Sequence, residues 1–186
     1  SIVNFPAELI SMRDHPRGRV ITLLLVSSGL LWFLLLYERG KAENKFSQFD
    51  NLVRSLTIQY FFDTYRDSHI FDGAIVVLIP AFNEAENIDA ILPKIPHHIK
   101  KIPVKTLVID DGSSDETMKV AESHGACVAR HPANRGGGAA LKAGYEIIKK
   151  FNTRVVVTMD ADGQHAPEEI SKLIEPILAG SADFVI

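Results

Sequence analysis

Four short polar stretches carry residue types able to do chemistry: Asp160-Ala161-Asp162-Gly163-Gln164-His165, Asp110-Asp111-Gly112-Ser113-Ser114-Asp115, Pro80-Ala81-Phe82-Asn83-Glu84 and Asn134-Arg135-Gly136-Gly137-Gly138. In the first, two carboxylates and the Gln164 amide oxygen make an all-oxygen donor set suited to Mg²⁺ or Mn²⁺, which in turn bridges nucleotide phosphates. Side chains of an extended backbone alternate between faces, so the Asp-x-Asp pair is expected to split unless the chain turns at the strand end, a turn that Gly163 allows. For an isolated pair, capping the next helix is the commoner role. His165 reads as a local hydrogen-bonder rather than a ligand.

In the second stretch, Ser113 and Glu116 have capping-box spacing. A cap needs only one polar residue, so two adjacent acids point to a ligand. In the third, Asn83 and Glu86 fit an N-cap pair, while Glu84 at a sheet edge can accept from ribose hydroxyls or a base. The fourth precedes a helix, whose free N–H groups attract phosphate; Arg135 or Lys142 would neutralise a diphosphate or lie in solvent. It is neither a P-loop nor G-x-G-x-x-G, because no Gly-Lys-Ser/Thr follows and Leu141 takes the last glycine position.

The elements that must position these residues are short. Ile75–Ile79, Thr106–Ile109, Cys127–Ala129 and Val155–Met159 read as aliphatic strands, and Phe184–Ile186 as the start of a fifth. Between them, helices are expected at Asn83–Ile95, Asp115–His124, Gly138–Lys150 and Pro167–Leu178. Strands alternating with helices imply an α/β fold with a mostly parallel sheet, covered on both faces, that binds ligands at its carboxyl edge.

Ahead of this domain, residues 1–19 are polar and broken by Pro6, Pro16 and Gly18. Val20–Tyr37 then holds no charged residue, and about 18 helical residues reach roughly 27 Å, close to a bilayer's hydrocarbon core. A transmembrane helix over 20–37 is expected, with a buried core helix as the alternative. Residues 38–73 form an amphipathic linker, with Phe46, Phe49, Leu52, Val53, Leu56, Tyr60 and Phe61 recurring at three and four. Their apolar face either lies on the bilayer or packs on the next domain. Domain four, residues 74–186, looks incomplete, since the chain starts at Ser1 and stops within an apparent strand.

The chain has 20 basic and 23 acidic side chains, a net charge of -3, which argues against nucleic acid as a partner. Its one cysteine, Cys127, sits in an apolar run and reads as a small buried hydrophobe.

Taken in their order and spacing, the four stretches resemble the family 2 glycosyltransferases of the GT-A fold, over about residues 74–186. The Asp-Ala-Asp-x-Gln-His form is most like the polyprenyl-phosphate sugar transferases, which include the dolichyl-phosphate mannose synthases. The resemblance implies that Pro80, Phe82 and Glu84 line a nucleotide-sugar pocket, with Ile109 and Asp111 beside the base. Phe82 departs from the tyrosine often found there, losing a hydroxyl but keeping a stacking face. It also implies that Asp160, Ala161 and Asp162 contact the nucleotide, and that Asp160, Asp162 and Gln164 surround Mg²⁺ or Mn²⁺. The implied reaction is inverting transfer from a nucleoside-diphosphate sugar to a polyprenyl-phosphate lipid, by a membrane protein whose catalytic domain is cytoplasmic. No catalytic base is assigned. Family members continue past the fifth strand with basic residues for the diphosphate and acceptor, so turnover is not expected of this stretch alone. Two alternatives remain open: a family 2 enzyme acting on a polysaccharide or another acceptor, and a non-catalytic nucleotide-sugar-binding module.

Overall fold

The computed structural model describes residues 16–66 and 69–186. Most of the expected N-terminal segment 1–19 lies outside the described residues. Within them the chain forms two compact units, one up to Phe49 and one from Asp50 to Ile186.

A single helix, α1 (Pro16–Thr64), runs through the expected span and most of the expected amphipathic linker. Pro16 stands at its start, where the missing N–H costs nothing. The charged stretch after Tyr37 does not interrupt it, because Arg39 Nε meets Glu43 at 3.1 Å one turn on and no proline intervenes. In the first unit Ser27 and Ser28 donate back to the carbonyls of Leu24 and Leu25, which satisfies the hydroxyls inside an otherwise apolar stretch. α1 is long and apolar enough to cross a membrane, and Val20–Tyr37 is exposed throughout, unlike a soluble core helix.

The second unit begins with the last turns of α1, where Val53, Thr57 and Phe61 are buried at four-residue spacing. The remaining elements are β1 (Ile75–Ala81), α2 (Ala85–Ile91), β2 (His98–Ile99), β3 (Ile102–Asp110), α3 (Thr117–Ser123), β4 (Cys127–Arg130), α4 (Gly137–Ile148), β5 (Val155–Thr158), α5 (Ile170–Leu173) and α6 (Glu175–Leu178). β1 lies between β3 and β5, parallel to both. β4 joins β3 in parallel on its other side, and only the short β2 is antiparallel, at the start of β3.

Period-two alternation divides the core between two faces. Ile75, Val77 and Ile79 of β1 join Val108, Val128, Val155 and Val157 beneath α2, α3 and α5. Val76 and Leu78 point the other way, with Leu107, Ile109, Cys127 and Ala129, to meet Phe61 of α1, Phe71 and the Ala140–Ile147 face of α4. Cys127 is free and buried, as expected, and burial pushes its thiol up to about 11 despite the Lys105 charge.

Several expected boundaries move for identifiable reasons. Pro93 cuts the helix expected over Asn83–Ile95, leaving α2 and a 3₁₀ turn over Leu92–Lys94. The Pro167–Leu178 helix breaks into a 3₁₀ turn, α5 and α6, since Pro176 cannot donate to the preceding turn. Phe184–Ile186 is not a strand: it pairs with no neighbour, and Phe184 and Ile186 are exposed.

α4 crosses β1 at Gly144, where a Cβ would lie 2.3 Å from Leu78 Cδ1 and 3.2 Å from Ile109 Cγ1. Leu78 and Ile109 are fully buried, so neither has room to yield. Gly144→Ala is therefore expected to cost about 1–3 kcal/mol by overpacking, read from the urea midpoint. A loss under about 0.5 kcal/mol would show that α4 does not ride this close to the sheet.

Candidate functional site

The carboxyl ends of the parallel strands bring all four polar stretches to one edge of the sheet. Pro80 pairs in register with Ile109, Ala81 with Asp110, and Leu78 with Thr158. Asp111 N donates to Ala81 O at 2.8 Å and Met159 N to Leu78 O at 3.1 Å, so the ladders run on toward both acidic stretches. At about 5 Å per strand spacing, the ends of β3 and β5 stand roughly 10 Å apart with β1 between them. Asp111 and Asp162 thus belong to the same edge.

The two acids closing β3 are both buried. Asp110 Oδ1 accepts from Ser113 N at 2.8 Å, and its Oδ2 lies 3.4 Å from Arg130 Nε, an ion pair without a hydrogen bond. Asp111 Oδ1 faces His131 Nδ1 at 2.7 Å and accepts from Arg135 N at 2.9 Å, while its Oδ2 accepts from Gly136 N. An ionised carboxylate only accepts, so Nδ1 of His131 carries its hydrogen toward Asp111. The Asp111 carboxylate thus also locks the β4–α4 loop against β3. Gly112 permits this approach: its φ is +77°, and a Cβ would sit 2.9 Å from Ala133 C and Asn134 N.

Neither expected capping pair forms. The N-caps of α2 and α3 are Glu84 and Glu116, and neither makes a side-chain cap bond. Instead the two loops cap one another. Asn83, at φ +56°, donates its N–H to Ser113 Oγ, and its Oδ1 accepts from Ser114 N at 2.8 Å. Glu84 N donates to Thr117 Oγ1 and Ala85 N to Asp115 Oδ2, satisfying the open end of α2 from a neighbouring loop. Sequence spacing reports only partners on the same helix.

On this frame Phe82 is 42% exposed, leaving a ring face open at the edge. Glu84 is half-buried and accepts from Asn87 Nδ2 at 2.5 Å. Ile109 and Ala161 are buried, so they offer a ligand backbone and wall shape rather than side-chain groups.

The Asp-x-Asp loop turns at Ala161–Asp162, with Gly163 at φ +76°. The expected splitting of the pair does not occur, and its premise needs correcting: residues two apart on an extended backbone share a face. Met159 and Ala161 are buried while Asp160 and Asp162 are exposed, so both carboxylates face solvent from one turn. Asp162 Oδ1 accepts from Gln164 N at 3.0 Å, and His165 Nε2 lies 3.8 Å from Asp160 Oδ2. Among the described residues no three His, Cys, Asp or Glu side chains gather into a metal cluster. Two exposed carboxylates and a carboxamide, with no Lys or Arg among the described residues paired to either acid, nonetheless fit Mg²⁺ or Mn²⁺. Such ions take one or two carboxylates and complete an octahedron with water and phosphate oxygens.

Three residues escaped the sequence reading: His131, Asp50 and Thr117. His131 directly follows a strand, a position that flags a sheet-edge residue. Asp50 carries no local signal, because its partner Arg135, whose Nε it accepts at 2.7 Å, is 85 residues away.

A mostly parallel sheet between helical layers, presenting an exposed Asp-x-Asp turn beside the closing loops of its central strands, defines the GT-A class of glycosyltransferases. The chain belongs to glycosyl transferase family 2, whose model matches residues 76–186. It is similar to the polyprenol monophosphomannose synthase of Mycolicibacterium smegmatis, 38% identical over 117 residues, covering 60% of this chain and 43% of that protein. It is also similar to a UDP-N-acetylglucosamine–dolichyl-phosphate N-acetylglucosaminyltransferase of Methanococcus voltae, 30% identical over 132 residues, covering 62% of this chain and 51% of that protein. The chain spans about half the length, or less, of these curated relatives. Among solved structures, glucosyl-3-phosphoglycerate synthase of Mycobacterium tuberculosis with Mn²⁺, UDP-glucose and phosphoglyceric acid aligns with a TM-score of 0.48 and 28% identity, covering 57% of this chain and 40% of that one.

Burial pushes the Asp115 carboxyl up, but hydrogen bonds from the Thr117 hydroxyl and from the Thr117 and Ala85 N–H groups outweigh it and hold the pKa below the ordinary value. Stability from such a group is complete above its unfolded pKa and is lost as pH falls through the lower folded one. Asp115→Ala is expected to lower stability by about 0.5–1.5 kcal/mol at neutral pH, allowing for solvent screening at an exposed carboxylate. Denaturation at a series of pH values checks this: the gap to the parent protein should close in acid, and a pH-independent gap would contradict it.

Proposed function

We propose that this chain is the donor-binding part of a membrane-attached glycosyltransferase that moves a sugar from a nucleoside-diphosphate sugar to a polyprenyl phosphate with inversion. The observation that carries this reading is the Asp-x-Asp turn, whose two solvent-facing carboxylates stand one strand away from Pro80, Phe82 and Glu84. Two relatives named for polyprenol or dolichyl phosphate, which differ in the sugar they carry, support the lipid acceptor class.

In this reading the exposed Phe82 ring stacks on the base and Glu84 accepts from the ribose. Ile109 and Asp111 stand beside the base and Ala161 contacts the nucleotide, while Asp111 also keeps the wall in place through the loop it holds. Asp160, Asp162 and Gln164 hold Mg²⁺ or Mn²⁺, which stabilises the negative charge growing on the departing diphosphate. The acceptor oxygen attacks the anomeric carbon from the side opposite that diphosphate. A lipid phosphate is already anionic near neutral pH, so this chain needs no strong base at the edge. Val20–Tyr37 anchors the protein, with the second unit on the cytoplasmic side where nucleotide sugars are made.

Asp162→Asn is expected to remove Mn²⁺-dependent binding of nucleoside diphosphates while leaving the thermal transition of the free protein within about 2–4 °C. Calorimetric titration with and without Mn²⁺ decides it; undiminished metal-dependent binding by the variant would remove the metal assignment. Deleting residues 1–40 is expected to release the protein from washed membranes, and continued sedimentation with them would place the attachment elsewhere.

A further inference from the structure

The last turns of α1 belong to the second unit, yet they precede the stretch that matches the family, 76–186. They run along β4 from its carboxyl end to its start. Asp50 meets Arg135 beyond the end of the strand. Thr57 Oγ1 shares its hydrogen between Val53 O and Arg130 O, the last carbonyl of β4, and Tyr65 OH accepts from Val128 N near the first. Among the described residues β4 pairs only with β3, so the two hydroxyls cover an edge that would otherwise lie bare. Thr57 and Phe61 are fully buried, which seats the helix there.

At the carboxyl edge the helix does more than cover a strand. Asp50 Oδ1 accepts from Arg135 Nε at 2.7 Å and also from Nη2. The Arg135 side chain is 13% exposed and that of Asp50 32%, so water and salt screen this pair less than one on the open surface. Arg135 is also the residue whose backbone N–H goes to Asp111 Oδ1 at 2.9 Å. It is therefore held twice, by its backbone to β3 and by its side chain to α1. The hold on the backbone places one peptide; the hold on the guanidinium removes the rotamer freedom that would let the rest of the loop shift.

That loop rests directly on the turn closing β3, since a Cβ on Gly112 would lie 2.9 Å from Ala133 C and Asn134 N. Gly112 follows Asp111, which stands beside the base in the function proposed above. A path of direct contacts thus leads from Asp50 through Arg135 and the β4–α4 loop to the donor edge. One turn further along α1, Arg54 Nε meets Glu146 at 3.0 Å, near the far end of α4. This second ion pair ties α1 to α4 without touching the loop.

We propose that Asp50 is a positioning residue for the donor site. By holding the Arg135 side chain it fixes the β4–α4 loop, and through that loop the turn beside the nucleotide base. The inference rests on the donor-binding function and adds to it a residue from outside the family match. Asp50 touches no nucleotide. A loop fixed before the ligand arrives need not be ordered by it, so the effect appears in nucleotide affinity.

Calorimetric titration of the full chain in detergent micelles, with a nucleoside diphosphate and Mn²⁺ at a temperature well below the thermal transition, tests this. Asp50→Asn is expected to weaken binding about three- to tenfold. Arg54→Gln, which breaks the neighbouring ion pair, is expected to leave binding within about twofold. Each variant removes one ion pair of the same helix, so a loss confined to Asp50→Asn is not an effect of lowered stability. Adding Asp50→Asn to Arg135→Gln is expected to weaken binding no further, because the acid acts through the arginine. In the free protein, Asp50→Asn should speed hydrogen exchange at the Arg135 and Gly136 amides about tenfold while those of Val108 and Ile109 keep their rates. Unchanged exchange at those two amides overturns the proposal, as do losses that add in the double variant or an equal loss in Arg54→Gln. A parent protein that binds no nucleoside diphosphate removes the donor-site function and this inference with it. Binding by the parent that Asp50→Asn equals removes this inference alone.

Discussion

One buried carboxylate, that of Asp111, ties the edge of the sheet together. It gathers His131 Nδ1 and the N–H groups of Arg135 and Gly136 onto a side chain that is almost wholly out of solvent. A buried carboxylate is tolerable there because several donors share its oxygens. The loop between β4 and α4 consequently has one place to go, and Gly112 is the residue that lets it come that close.

From that lock the two halves of the edge acquire different character. On the β3 side, Asp110, Ser113, Asp115 and Thr117 accept from backbone N–H groups of their own loop or of the loop after β1, and Ser114 donates to Asn83 Oδ1, giving a rigid wall. On the β5 side, Asp160 and Asp162 project from a turn with few internal partners, so their oxygens stay available. A site that must hold nucleotide in fixed geometry, while completing its cation's shell from the ligand, needs this division between a prebuilt wall and an open donor set.

The strands and their order of use were legible because β-branched runs ended by Pro80, Asp110 and Asp160 leave little ambiguity about where a parallel sheet presents its polar residues. The Asp-x-Asp turn was legible too, and both its acids are exposed from it while Met159 and Ala161 are buried. What the sequence concealed is contact across the fold. Asn83 and Ser113 looked like caps of their own helices, and became partners of each other. Asp111 gave no sign of the loop it anchors. Asp50 and Arg135 gave no sign of meeting, since they are 85 residues apart and come together only in the folded chain, where Val53, Thr57 and Phe61 bury the end of α1. Proline positions set the broken helices after Ile91 and around Pro176, where periodicity alone suggested longer ones.

The central claim is that the loops closing β1, β3 and β5 form one nucleotide-binding edge with its cation at the Asp-x-Asp turn. Paramagnetic broadening by Mn²⁺, recorded on backbone amides in the presence of a nucleoside diphosphate, tests it directly. The account predicts broadening centred on residues 160–164 that fades through 80–84 and 110–112. Broadening centred elsewhere, or unchanged when the nucleotide is left out, would contradict it.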